Sequence, residues 1–205
     1  MKVLGIDEAG RGPVIGPMVM VGFLIEEEVE EELRKMGVKD SKQLTPEERE
    51  ELAEELRKMG KVFVKLIHPW QIDAENLNRL ERNVARAIIM EAKPDRVIID
   101  GFERNLEKKL GVKGVEIVAE PKADERYPVV SAASIIAKVT RDRMIEKLKR
   151  RYGEFGTGYP SDERTVKFLE ELIREEKKIP DFVRKSWETT RRIIEKEEQR
   201  TLDEF

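Results

Sequence analysis

Residues 3–17 have the sequence VLGIDEAGRGPVIGP. A short apolar run, typical of a buried strand, ends on two adjacent carboxylates, Asp7 and Glu8. A Gly-Arg-Gly segment and Pro13 follow, and a second apolar run, MVMVGFLI, begins at Met18. The stretch therefore predicts two strands joined by a loop with few side chains on its backbone. Acids at the start of such a loop fit a surface turn, a phosphate-binding loop or part of a metal site.

The glycine spacing also resembles a dinucleotide-binding loop. That motif requires a helix directly after the glycines, because the helix N-terminus receives the pyrophosphate. A proline and a second strand follow here, so we exclude it. What remains is a loop of exposed N–H groups with one arginine, suited to close approach by a phosphate or a sugar.

Strands and helices continue along the rest of the chain. Three more strands are predicted, from the apolar runs VFVKLI (62–67), RVIID (96–100) and VEIVAE (115–120). A helix begins after Thr45, where Pro46 takes the first helical position and Glu48 completes a capping box. Amphipathic spacing predicts a second helix near Leu77, and a third begins near Val129 with a first half that is small and apolar on every side. We predict an α/β domain with a mixed sheet and a helical C-terminal third.

The composition excludes several kinds of site. Without cysteine there is no disulfide, zinc-thiolate site or thiol nucleophile, and the single histidine, His68, ends an apolar run and is predicted to be structural. A bound metal would therefore have oxygen ligands, which favours Mg²⁺ or Mn²⁺. Charged residues make up 40% of the chain but the net charge is only −3, so nucleic-acid binding would need a local basic patch such as 140–153.

Two strands end in the same way, at Asp7 and Asp100. If these strands are parallel neighbours, both carboxylates emerge at one edge of the sheet, where ligands of open α/β sheets collect. Acids crowded there repel each other unless a cation compensates or one takes up a proton. A divalent ion with oxygen ligands is one solution, and the alternative is that both are ordinary turn residues.

Five segments, taken in order, closely resemble archaeal ribonuclease HII: GIDEAGRGPVIGP, DSKQLTPEER, IIDGF, KADERYPVVSAASIIAKVTRDR and GYPSD. The resemblance extends from Met1 to about Trp187. It implies the ribonuclease H fold, a mixed five-stranded sheet flanked by helices, with a C-terminal helical extension. It also implies cleavage of the RNA strand of RNA–DNA hybrids and incision 5′ of single ribonucleotides in duplex DNA, leaving 3′-hydroxyl and 5′-phosphate ends. Such an enzyme serves ribonucleotide removal and primer processing.

The resemblance also implies roles for individual residues. The four acidic residues of the family correspond to Asp7, Glu8, Asp100 and Asp124. The loop that senses the ribose 2′-hydroxyl and a neighbouring phosphate corresponds to Gly10, Arg11 and Gly12. Two further substrate contacts, a phosphate-binding lysine and a tyrosine that stacks beside the RNA–DNA junction, correspond to Lys42 and Tyr159.

The chemistry of phosphodiester hydrolysis is compatible with this set of residues. Two divalent ions roughly 4 Å apart, Mg²⁺ or Mn²⁺, can activate the water and stabilise the leaving oxygen. We expect Asp7 and Asp100 to be the central ligands, with Glu8 and Asp124 completing the shell, or with Asp124 orienting the water instead. The 2′-hydroxyl distinguishes RNA from DNA, so a loop with a bare backbone is a suitable sensor.

Along the chain we expect a catalytic domain at 1–153, a helical region packed on it at 154–198 and a tail at 199–205. The tail residues Gln199, Leu202 and Phe205 resemble the short motif that binds the sliding clamp PCNA, and the alternative is a solvated tail. The sequence shows no signal peptide and no membrane-spanning stretch, so we expect a cytoplasmic monomer with no membrane partner.

Other features have both functional and ordinary interpretations. The basic run at 147–151 either follows the DNA backbone or is a solvated helix face. Trp70 and Trp187 are expected to be packing residues. Two alternative functions stay open: a DNA nuclease or resolvase of the same fold, and a non-catalytic module that binds a clamp or nucleic acid. Only the non-catalytic module would tolerate Asp7→Asn.

Overall fold

The computed structural model describes residues 1–175 and 178–203, with the backbone alone at 40–42, 201 and 203. Within these residues five strands form one sheet in the order β3-β2-β1-β4-β5. The strands are β1 (Lys2–Ala9), β2 (Met18–Glu26), β3 (Lys61–Ile67), β4 (Arg96–Asp100) and β5 (Glu116–Glu120). β1 pairs antiparallel with β2 and parallel with β4, which pairs parallel with β5. The predicted mixed five-stranded sheet is confirmed.

Helices make up most of the remaining described chain. They are α1 (Glu30–Lys35), α2 (Pro46–Met59), α3 (Pro69–Ala74), α4 (Leu77–Ala92), α5 (Leu106–Leu110), α6 (Pro128–Tyr152), α7 (Glu163–Glu175) and α8 (Glu188–Asp203). Short 3₁₀ turns lie at Glu27–Val29, Val38–Gln43 and Ala123–Glu125. No described helix has both the length and the apolar character needed to cross a membrane.

The predicted start of α2 is confirmed in its hydrogen bonds. The Glu48 N–H donates to Thr45 Oγ1 over 3.2 Å, and the Thr45 N–H donates to Glu48 Oε2 over 2.8 Å. This reciprocal pair satisfies two backbone donors that the first turn leaves without a helical partner. The helix ends at Met59, directly before Gly60.

Two glycines of the sheet allow helices to approach its two faces. A Cβ at Gly5 of β1 would lie 2.3 Å from the carbonyl oxygen of Val129 in α6, and a Cβ at Gly22 of β2 would lie 2.4 Å from Ile88 in α4. Gly22 is paired with Ile6, the neighbour of Gly5, so the two glycines face opposite sides of the sheet. The small, apolar first half of α6 therefore packs closely against β1.

Two compact units make up the described chain. Unit 1 comprises Met1–Ala9, Val19–Leu66 and Leu77–Asp142, and unit 2 comprises Gly10–Met18, Ile67–Asn76 and the chain from Arg143 onward. This division differs from the predicted boundary at residue 153, because two early segments group with the C-terminal helices and the change of unit falls inside α6. Unit 2 has its own apolar core, which includes Val14, Phe155 and Leu169.

Candidate active site

In unit 1 the parallel pairing of β1 and β4 sets the positions of two acids. Ile6 is paired with Ile99, so the next residues, Asp7 and Asp100, leave the two strands at the same edge. Strand alternation puts Asp7 on the face of Gly5, which is the face covered by α6. The Ser134 hydroxyl of α6 donates a hydrogen bond to the Asp7 carboxylate, and the Glu8 N–H donates to Asp7 Oδ1 over 2.8 Å.

Asp7 is almost fully buried, and three carboxylates influence one another here. The pKa of Asp7 is raised to about 7, chiefly by burial and additionally by the charges of Asp100 and Asp124. The hydrogen bonds from Ser134 and Glu8 act in the opposite direction. Burial also raises the pKa of Asp100, and the charge of Asp124 adds to the effect. Burial is therefore the main cause of both raised pKa values, and the neighbouring carboxylates add to it.

Backbone contacts fix the second and third acids. The Ala123 N–H donates to Asp100 Oδ1 over 3.0 Å, which ties the turn after β5 to the end of β4. Asp124 lies in that turn, and the Ser131 hydroxyl of α6 donates to its carbonyl oxygen. Gly101 permits the close approach, because a Cβ there would lie 3.1 Å from the Glu120 carbonyl carbon.

The described contacts thus bring Asp7, Asp100 and Asp124 together. Glu8 is half-buried at the same edge, and strand alternation directs its side chain to the opposite face of β1. Among the described residues, no group of three or more acidic or histidine side chains has the geometry of a metal site as it stands. The fit to a divalent ion therefore rests on the donor chemistry, which is carboxylate oxygen from several acids at one edge of the sheet.

In unit 2 the loop that begins at Gly10 is held through its carbonyl oxygens. The buried Arg184 guanidinium donates from Nη2 to Gly10 O over 2.5 Å, and from Nη1 to Arg11 O over 2.9 Å. Its Nε donates to Gly16 O over 3.1 Å, and Trp187 Nε1 donates to Gly12 O over 2.9 Å. The guanidinium also lies 4.7 Å from the centroid of the Trp187 ring.

Tyr159 lies against this loop. A Cβ at Gly12 would be 3.3 Å from Tyr159 Cε1, so the absence of a side chain at Gly12 makes room for the ring, which is 43% exposed. Hydrogen bonds of Thr165 fix the backbone next to Tyr159. Thr165 Oγ1 accepts from the Gly158 N–H over 3.0 Å and donates to Phe155 O over 2.7 Å. The Gly158 carbonyl in turn accepts from the Val14 N–H over 2.8 Å.

The other predicted residues have separate outcomes. Lys42 lies in the 3₁₀ turn Val38–Gln43, and its side chain is outside the described atoms. Gln199 and Leu202 belong to α8, in which Leu202 is 75% exposed, and Phe205 lies outside the described residues. In the basic run, Lys149 is bound to Glu154 over 3.0 Å, an ordinary surface ion pair.

Sequence reasoning missed the residues that position the site. It did not identify Ser134 or Arg184, and it treated Trp187 only as a packing residue. It also missed Asp73, whose carboxylate accepts from the N–H groups of Lys185 and Ser186 over 2.9 Å each. The available signals were a serine in the small, apolar first half of α6 and an arginine directly after the apolar pair Phe182 and Val183.

Comparisons with known proteins agree on one family. Its model, ribonuclease HII, matches residues 4–190. Ribonuclease HII from Methanothermobacter thermautotrophicus is 50% identical, over 94% of this chain and 98% of its own. The crystal structure of ribonuclease H2 from Pyrococcus horikoshii is similar with a TM-score of 0.91 at 47% identity, over 96% and 98% of the two chains. The ribonuclease HII in a PCNA complex from Archaeoglobus fulgidus is similar with a TM-score of 0.85 at 44% identity, over 92% of this chain and 96% of its own.

The sheet order, the acids at adjacent strand ends and a match along nearly the whole chain lead to one assignment. This chain belongs to the ribonuclease HII family, which consists of endonucleases of the ribonuclease H class.

Proposed function

We propose that this protein hydrolyses the RNA strand of RNA–DNA hybrids and cuts 5′ of single ribonucleotides in duplex DNA, leaving 3′-hydroxyl and 5′-phosphate ends. The observation that carries the proposal is the carboxylate cluster, in which Asp7 is almost fully buried and is influenced by Asp100 and Asp124. Buried acids that repel each other are costly for stability, so their presence at strand ends favours a functional role.

The proposed ligands of a divalent cation, Mg²⁺ or Mn²⁺, are Asp7, Asp100 and Asp124, together with Glu8, which would have to reach around the end of β1 from the opposite face. Two such ions supply an activated water and stabilise the leaving oxygen when they are bound. Ser134 and the Glu8 N–H would keep the Asp7 carboxylate in one orientation, and the Ala123 N–H would do so for Asp100. These donors favour the ionised carboxylates that a cation requires.

The proposed sensor of the ribose is the loop Gly10, Arg11 and Gly12. Gly10 follows Glu8 by two residues, so covalent geometry alone keeps their Cα atoms within about 7 Å. Arg184 and Trp187 donate to the carbonyl oxygens of all three loop residues, so we propose that the loop approaches a 2′-hydroxyl or a phosphate with N–H groups rather than with these acceptors. Tyr159 is proposed to stack beside the junction, and Lys42 to contact a phosphate.

The C-terminal tail is proposed to bind a sliding clamp. Gln199 and Leu202 lie three positions apart on α8, and Leu202 is exposed. Phe205 would complete the motif. The Archaeoglobus fulgidus relative was solved in a complex with PCNA, which supports a partner of the same kind for this chain.

The test uses an end-labelled DNA duplex with one ribonucleotide, incubated with Mg²⁺ or Mn²⁺. We expect a single cut 5′ of the ribonucleotide and no cut in the matched all-DNA duplex. Asp7→Asn should abolish turnover while binding of the duplex is retained. Glu26→Gln, an exposed acid at the far end of β2, is the matched control and should cut normally. Cleavage of the all-DNA duplex would indicate the DNA nuclease instead, and no cleavage with either metal would contradict the enzyme.

A further inference from the structure

Unit 2 contains a cleft that the proposed reaction does not use. It lies between the start of α3, the C-terminal part of α6 and the segment 178–182, and its volume is about 830 Å³. This size falls within the range of about 300–1,000 Å³ that is usual for ligand sites. We call it the Trp70 cleft.

Exposed aromatic rings are among the side chains that line the cleft. Trp70 is 63% exposed, which shows that its predicted role as a packing residue was wrong. The His68 ring is within 6° of parallel to the Trp70 ring, with centroids 6.4 Å apart. Tyr152 is 37% exposed, and it is held by Phe182 at a centroid distance of 4.4 Å. The Trp70 ring, the most exposed of these, is therefore available to a planar ligand.

Positive charge also lines the cleft, and the Arg151 guanidinium lies 5.2 Å from the centroid of the Tyr152 ring. Lys147 and Arg151 lie one turn apart on α6, and Lys178 faces the same cleft, with Asp181 as the acidic residue among the lining side chains. In the part of the chain that the structure describes, none of these three cations forms an ion pair within 4 Å. The neighbouring Lys149, which does not line the cleft, is bound to Glu154.

We infer that the Trp70 cleft binds an unpaired single strand of nucleic acid. Proteins bind single strands by combining cations that follow the phosphates with aromatic rings on which bases stack. The cleft has both elements and an open shape, and its net positive charge stands out on a chain with a net charge of −3. The inference goes beyond the proposed function and does not depend on it, because binding of a strand needs no cleavage.

The experiment measures binding of a labelled 12-nucleotide deoxythymidine strand to the full chain by fluorescence anisotropy, in EDTA and over a range of salt concentrations. Trp70→Ala should weaken binding about tenfold or more, and Trp70→Phe should retain most of the affinity because a ring is kept. Lys147→Gln/Arg151→Gln should reduce the salt slope by about 1.4, since each phosphate contact on a single strand contributes about 0.7.

Two controls separate the cleft from general effects. Met90→Ala removes another exposed apolar side chain, and Lys58→Gln/Lys108→Gln removes two exposed charges from unit 1. Both should bind the strand like the wild type. The inference is overturned if the wild type does not bind the strand, or if Trp70→Ala binds as well as Met90→Ala does. The inference is also overturned if Trp70→Ala weakens binding of a blunt DNA duplex as much as it weakens binding of the single strand, since the cleft would then bind duplexes.

A measurement of cleavage keeps this result distinct from the proposed function. On a short blunt duplex with one ribonucleotide, Trp70→Ala should cut at the wild-type rate. A duplex with a single-stranded extension should be bound more tightly by the wild type than by Trp70→Ala. Equal binding of this extended duplex by both proteins would overturn the inference, even if cleavage is normal.

Discussion

Arg184 donates hydrogen bonds to three carbonyl oxygens of the loop at 10–16, those of Gly10, Arg11 and Gly16. A fully buried guanidinium is costly unless it is hydrogen-bonded, and here Nε, Nη1 and Nη2 each have an acceptor in the loop. The planar arginine fork can satisfy several fixed acceptors at once, which a lysine ammonium cannot do in the same geometry. The conformation of the loop at Gly10, with φ at 88°, therefore depends on a residue 174 positions away.

Arg184→Lys is expected to weaken ribonucleotide recognition. Loop carbonyls left without donors cost about 1–3 kcal/mol, and the loop loses its fixed conformation. We expect KM for the single-ribonucleotide duplex to rise about tenfold, as a loss of about 1.4 kcal/mol in binding would produce. Arg174→Lys, an exposed arginine of α7, is the control and should leave KM unchanged. An unchanged KM in a folded Arg184→Lys protein would contradict the role in recognition.

The two kinds of site residue differ in how far sequence could predict them. Asp7 and Asp100 could be predicted because the signal is local, an apolar strand that closes on an acid. Arg184 could not, because its acceptors are backbone carbonyls, which any residue supplies. The role of Ser134 depends on which strand α6 covers, and helix spacing alone does not determine that.

At the scale of elements, the contact between β1 and α6 should be less tolerant than that between β2 and α4. Gly5→Ala places a methyl group within 3 Å of three backbone atoms of Val129 and Val130, whereas Gly22→Ala comes that close to one side-chain methyl group, Cγ2 of Ile88. Ile88 is β-branched and has little rotamer freedom in a helix, but it can yield without a shift of the α6 backbone. Overpacking typically costs about 1–3 kcal/mol, and we expect Gly5→Ala to be at the upper end or beyond it. Urea unfolding of both variants measures the difference. A Gly5→Ala protein as stable as Gly22→Ala would contradict the rigid contact.

Gly5→Ala should also reduce activity, because α6 carries Ser134. A shift of the helix would move the hydroxyl that donates to Asp7. Gly22→Ala, compared at equal folded fraction, should cut at close to the wild-type rate. Equal rates for both variants would show that the position of α6 does not affect the carboxylates.

The segment that carries Tyr159 depends on a single buried hydroxyl. Thr165→Val removes the acceptor of the Gly158 N–H and the donor to Phe155 O while keeping the volume, and should cost about 1–3 kcal/mol. Thr165→Ser keeps the oxygen and is the matched control. We expect Thr165→Val, but not Thr165→Ser, to raise KM, because Tyr159 loses its support. Equal KM values would indicate that Tyr159 does not contact the substrate.

The helices and strands that could be predicted are those whose signals lie within a few consecutive residues. The capping box of α2 and the apolar runs of the strands are contained in a few consecutive residues, so both were found. The helices α1, α3 and α5 have six residues or fewer, which is too short for a periodic pattern. The grouping of 10–18 and 67–76 with the C-terminal helices depends on contacts far apart in sequence, such as Asp73 with Ser186.

At the scale of the whole molecule, clamp binding should be separable from cleavage. Leu202→Ala and Phe205→Ala should each abolish binding to PCNA in calorimetry, because each removes one of the two apolar anchors of the motif. Arg200→Ala, on the same helix, is the control and should bind. Cleavage of a short duplex in the absence of a clamp should be the same for all three. If both Leu202→Ala and Phe205→Ala still bound PCNA, the proposed clamp-binding role of the tail would be contradicted.

The buried carboxylate makes the stability of the protein depend on pH and on divalent ions. Asp7 releases its proton near its ordinary pKa of 3.8 when the chain is unfolded, but near 7 when it is folded. Between these pH values the folded state binds more protons than the unfolded state. The contribution of Asp7 to the free energy of unfolding therefore falls as the pH rises. The protonated state is therefore the more stable one in the absence of metal.

Thermal unfolding of wild type and Asp7→Asn in EDTA tests this linkage. At pH 4 the two midpoints should be similar, and at pH 8 the variant should be more stable by several degrees, since about 2–4 °C corresponds to 1 kcal/mol in a chain of this size. Mg²⁺ at pH 8 should raise the midpoint of the wild type, because a ligand of the folded state stabilises it, and should raise that of Asp7→Asn less. Glu26→Gln serves as the control for exposed acids and should follow the wild type. Equal midpoints of wild type and Asp7→Asn at pH 8 in EDTA would contradict the raised pKa of Asp7. If Mg²⁺ raised both midpoints equally, Asp7 would not be a ligand of the cation.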